Sequence, residues 1–131
     1  MQNVGVRFWT LAFVVANGAV NGTPSWGGYY DVSSGYLLNE INQVRAHGGD
    51  VMVSFGGAAG TELAASHTTV ATLQAAYQSV IDAYGLTHID FDIEGAWVAH
   101  PTSIQRRSQA IAGLQAAAAA AGKTLDVWYT L

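Results

Sequence analysis

Cysteine is absent from the 131-residue chain, and lysine and arginine together number only five. Without thiols there is no disulfide framework and no thiolate zinc site, and the redox compartment cannot be read from them. The five bases, Arg7, Arg45, Arg106, Arg107 and Lys123, lie scattered against nine acids for a net charge of −4. Such a distribution offers no basic stripe for nucleic acid or an anionic membrane, so neither is expected as a partner. No apolar run reaches the roughly 18 residues that a bilayer crossing requires. His47, His67, His88 and His100 show neither an HExxH pattern nor paired spacing, so no metal site is expected, and nothing points to a cofactor.

Half of the chain is hydrophobic, only 11% is charged and the mean hydropathy is +0.22. Those values exclude a disordered chain and describe one core-rich domain, residues 1–131. Arg7 ahead of the apolar stretch 8–16 superficially resembles an export leader, but a lone Arg and a poor cleavage sequence at 16–19 favour a buried strand.

Apolar runs rich in β-branched and aromatic residues recur at 6–16, 50–55, 87–93 and 124–131, which predicts four strands. Three helical patterns separate them. The first, over 34–47, spaces Leu37, Leu38, Ile41 and Val44 and stops at Gly48 and Gly49. The second, over 69–84, carries Val70, Leu73, Tyr77, Val80 and Ile81 before Gly85; the third runs from Pro101 through Ile104, Ile111 and Leu114 to Gly122. Its alanine-rich part, 116–121, reads as a place of close helix packing. Strands alternating with helices imply right-handed βαβ units and a parallel sheet, an α/β fold. Two longer loops, 17–33 and 95–101, both follow strands, the end of a parallel sheet where ligands bind.

The densest chemistry is at Asp90, Asp92 and Glu94, three of the nine acids within five residues. Strand side chains alternate, so these carboxylates share one face while Phe91 and Ile93 share the other. A solvated amphipathic strand would explain them in an antiparallel sheet. A parallel strand covered on both faces should instead be nearly all apolar, and the violation marks a functional site. Like charges at successive positions resist joint ionisation, so one of the three keeps its proton near neutrality, as a general acid must. The glycine-rich turn Ser54-Phe55-Gly56-Gly57 does not suit a dinucleotide loop, because Phe55 stands where that pattern needs glycine.

Ser54-Phe55-Gly56-Gly57 matches SxGG, and Asp90-Phe91-Asp92-Ile93-Glu94 matches the DxDxE core of DxxDxDxE. Together they resemble glycoside hydrolase family 18, the chitinases and related endo-β-N-acetylglucosaminidases, with the stretch 84–95 most like the bacterial chitinases. The first aspartate of that motif is replaced by Thr87. The resemblance implies a (β/α)8 barrel of the TIM type, with 54–57 on its third strand, the acids on its fourth, 9–16 on its second and 125–131 on its fifth. A whole barrel takes about 250 residues. Four strands alternating with helices are therefore expected to form a parallel half-barrel, completed by a second copy as a homodimer, with a truncated fragment as the competing reading.

By the same resemblance the chain would hydrolyse β-1,4-linked N-acetylglucosamine, in chitin or chitooligosaccharides, by substrate-assisted retention. Glu94 would be the acid and base, Asp92 would orient the acetamido group, and Asp90 would share a proton with Asp92. Trp26, Tyr29, Tyr30 and Trp97 are candidates either for stacking on sugar rings or for packing on the core. Ser54 and Gly57 would shape the cleft and brace the aspartates, since no base is spaced to activate Ser54. A catalytically silent glycan binder and a structural half-barrel are the alternatives. Secretion is implied by the resemblance, without a convincing leader in the chain itself.

Overall fold

The structure, a computed structural model, describes residues 5–18 and 22–131. Among the described residues the sheet has six strands rather than four, ordered Tyr30–Asp31, Pro24–Trp26, Phe8–Ala16, Asp50–Gly57, His88–Ile93 and Asp126–Thr130. Strands β1 (Phe8–Ala16), β4 (Asp50–Gly57), β5 (His88–Ile93) and β6 (Asp126–Thr130) fall on the four expected runs. All three pairings among them are parallel.

The two additional strands, β2 (Pro24–Trp26) and β3 (Tyr30–Asp31), form an antiparallel hairpin within the segment read as a loop. Strand β2 pairs with the last three residues of β1. Gly27 and Gly28 turn the hairpin with φ of 61° and 88°, values that glycine adopts without a Cβ penalty. Residues 19–21 of this segment, and with them part of the stretch considered for cleavage, lie outside the described residues.

Helix α1 (Leu38–Ala46) starts later than its periodicity suggests. Gly35 and Leu37 both take left-handed conformations, φ 78° and 68°, which no α-helix can pass through. A short helix, α2 (Leu63–Ser66), follows β4, and α3 (Val70–Tyr84) then runs between a Thr69 cap, whose hydroxyl accepts the Thr72 N–H, and left-handed Gly85. Helix α4 (Pro101–Ala120) begins at proline, with His100 Nδ1 accepting the Ser103 N–H. Its alanine run is mostly exposed, contrary to the packing expected there. The close approach to α3 is instead at Gly113, where a Cβ would collide with the Gln74 side chain. Among the described residues no helix is long and apolar enough to cross a membrane.

One face of the parallel strands is sealed by the helices. Phe55 and Phe91 stack at 5.3 Å, and Tyr77 of α3 meets both edge-on at 5.0 and 5.3 Å, so the centre of the core is aromatic. The other face carries Phe8 and Trp128, which remain 74% and 57% exposed. Between α2 and α4 a buried ion pair joins Arg107 Nη1 to Glu62 Oε1 at 2.8 Å, and Arg106 donates to the Ala64 carbonyl. These two arginines tie the segment after β4 onto α4.

Candidate active site

Parallel register puts Ser54 opposite Asp90 and Gly56 opposite Asp92, with Trp128 and Thr130 opposite the same two aspartates on β6. All six side-chain positions therefore share the uncovered face. Asp90 lies deepest, only 5% exposed, and its burial is made tolerable by two hydroxyl donors. Ser54 Oγ donates to Oδ2 at 2.6 Å, while Thr130 Oγ1 lies 3.1 Å from Oδ1 and 3.0 Å from Oδ2.

Asp92 and Glu94 are only partly buried and follow toward the carboxyl end of the strand. The hydrogen bond with Asp92 raises the proton affinity of Glu94 above the ordinary glutamate range, with some burial and the Asp92 charge acting in the same direction. Asp90, one pleat deeper, has both oxygens engaged by the hydroxyls of Ser54 and Thr130.

The glycines after Ser54 give the acids room. Gly56 has φ 105°, and a Cβ there would strike the Asp92 carbonyl oxygen. Gly57 has φ 85°, and its Cβ would come within 2.7 Å of the Phe13 ring. The SxGG pattern thus reads physically as one hydroxyl aimed at Asp90, then two positions where neighbouring strands press too closely for a side chain.

The aromatic candidates separate. Trp97 sits in the one-turn 3-10 segment Gly95–Ala99 directly after Glu94, partly exposed and edge-on to His100 at 5.5 Å. Tyr29 is 84% exposed at the hairpin turn, and Tyr30 stacks on Tyr36 at 4.5 Å. Trp26 is not available for stacking on a sugar: it is 5% exposed, with its indole N–H donating to Tyr84 Oη at 2.9 Å. The hairpin folds this ring into the helix layer, the packing alternative considered for it. Thr130 is the site residue that sequence reasoning passed over, since a single threonine in an apolar strand belongs to no motif.

No protein-family model matches the chain. It is 42% identical over 130 residues to a probable bifunctional chitinase/lysozyme of Escherichia coli, an alignment covering 99% of this chain and 14% of that protein. A catalytic-site mutant of active domain 2 of the thermostable chitinase from Pyrococcus furiosus, solved with chito-oligosaccharides, superposes with a TM-score of 0.83 at 29% identity, over 97% of this chain and 38% of that one. The catalytic domain of a family GH18 chitinase from the fern Peteris ryukyuensis gives a TM-score of 0.60 at 29% identity, over 87% and 46%. The chain therefore spans about one seventh of the curated relative and less than half of either solved domain. In sequence and in structure it resembles part of the catalytic domain of family GH18 chitinases.

Proposed function

We propose that this segment carries the acid machinery of a hydrolase acting on β-1,4-linked N-acetylglucosamine polymers, chitin or its oligosaccharides. The observation that carries the reading is the row of carboxylates on the uncovered face, Asp90 buried and Asp92 and Glu94 partly exposed beyond it, with the proton affinity of Glu94 raised by its bond to Asp92. In the substrate-assisted route, Glu94 protonates the glycosidic oxygen as the substrate's acetamido carbonyl oxygen attacks the anomeric carbon. The bond to the leaving sugar breaks and a cyclic oxazolinium ion forms. Asp92 orients the acetamido N–H and balances the growing positive charge. Water then opens the ring, losing its proton to Glu94, and the anomeric configuration is retained.

The four parallel strands are read as half of a (β/α)8 barrel, open along β6 and along the part of β1 that β2 does not pair. Coverage of only 38% and 46% of the similar solved domains supports closure by further strands of one longer polypeptide. A second copy of the chain is the alternative source of closure. Trp97, Tyr29 and Tyr30 are proposed to line the cleft, and Ser54 and Gly57 to shape its floor. The exposed Phe8 and Trp128 favour one further reading, a glycan-binding segment whose cleft is too open for turnover.

Reducing-end release from a fluorogenic chitotriose glycoside tests the reading. Glu94→Gln is expected to abolish release without loss of fold. Equal background rates in both proteins overturn the catalytic reading, and oligosaccharide binding without release supports the binding one.

A further inference from the structure

We infer that Thr130 is a positioning residue for the reaction, holding Asp90 from the β6 side so that Asp92 is left to engage Glu94. The inference rests on the catalytic reading above.

Asp90 is clamped from both neighbouring strands. Ser54 of β4 fills one oxygen at 2.6 Å, and Thr130 of β6 shares its single O–H between both at 3.1 and 3.0 Å. Without Thr130, Oδ1 would have no donor among the described residues. A buried carboxylate oxygen cannot be left so without cost. The nearest acid on the same face is Asp92, one pleat further along the strand. An unoccupied Oδ1 would compete with Glu94 for the Asp92 carboxyl as a hydrogen-bond partner, and the contact between Asp92 and Glu94 would be lost.

The arrangement also explains why Thr130 can act from an exposed position. It lies opposite Asp92 in the ladder and reaches back along the pleat to Asp90, so its hydroxyl sits beneath the reacting groups. The role assigned to it requires neither contact with substrate nor transfer of a proton. Its methyl group makes Thr130→Val a near-isosteric removal of the hydroxyl alone, while Thr130→Ser retains the donor.

The test combines kinetics with 13C NMR of the carboxyl carbons at a fixed pH. With the chitotriose glycoside, Thr130→Val is expected to lower kcat about ten-fold while KM stays within about two-fold, the loss expected for one hydrogen bond to a charged group. Thr130→Ser restores kcat. In Thr130→Val the Asp90, Asp92 and Glu94 resonances all move, and in Thr130→Ser they return. Unchanged kcat with unmoved resonances overturns the inference. Equal losses of kcat and of thermal midpoint in both variants also overturn it, since they assign Thr130 a purely structural role. If the unaltered protein releases no product, the catalytic reading fails by itself. The resonances then decide separately whether Thr130 sets the arrangement of the three acids.

Discussion

Glu94 and Asp92 differ in what surrounds them more than in what they are. The partner bond, partial burial and like charge all act on Glu94 in one direction, toward keeping its proton. The alkaline limb of kcat/KM should therefore fall above the ordinary glutamate range. Asp92→Asn removes the neighbouring charge and so favours ionised Glu94; the limb is expected to move to lower pH, with activity reduced about a hundred-fold, as measured by pH–rate profiles of both proteins. Gly56 offers a second residue-scale prediction. Alanine there meets both a φ of 105° and the Asp92 carbonyl oxygen, so Gly56→Ala should cost more than about 1 kcal/mol in urea unfolding and lower kcat by displacing Asp92. At this scale the acids and the SxGG turn were legible because each follows a regular alternation or a glycine signature. Trp26 was not, since only the hairpin decides whether its ring faces solvent or Tyr84.

The elements hold the site through their outer face as well. Arg107 and Glu62 are 6% and 4% exposed, and burial pushes the Glu62 carboxyl up even though Arg107 opposes it. A raised value means that the folded state binds this proton more tightly than the unfolded chain. The contribution of Glu62 to stability is thus full below its unfolded value and declines as pH rises through the folded one. Arg107→Met leaves the carboxylate without its counter-charge. The expected loss is about 3–5 kcal/mol near neutrality, shrinking as pH falls toward the glutamate range, whereas the Glu62→Leu, Arg107→Met pair should come close to neutral by denaturant titration. The four long strands and α3 were readable from apolar runs and periodicity. The hairpin was not, because strands of three and two residues are too short to show alternation. The start of α1 was obscured because Leu37, apolar and well spaced, is held at a positive φ that no pattern of hydrophobicity records.

The described residues present one sheet face covered by helices and one left open. Phe8 and Trp128 stand on the open face at opposite ends of the four parallel strands, each more than half exposed. Apolar side chains in such positions are normally covered. If a second copy covers them, sedimentation should give about twice 13.7 kDa at micromolar concentration, and Trp128→Glu should return the monomer. A monomer at every concentration would instead assign closure to further barrel strands. The hydroxyl clamp on Asp90 bears on how such barrels can be assembled from parts. Its contacts cross both boundaries of β5, reaching Ser54 on one side and Thr130 on the other. Recombination that exchanged segments between related barrels could place its joints before β4 or after β6 and carry the acid row intact. A joint between those strands would pair acids from one lineage with hydroxyls from another, so recombination that keeps the clamp must keep the three strands together.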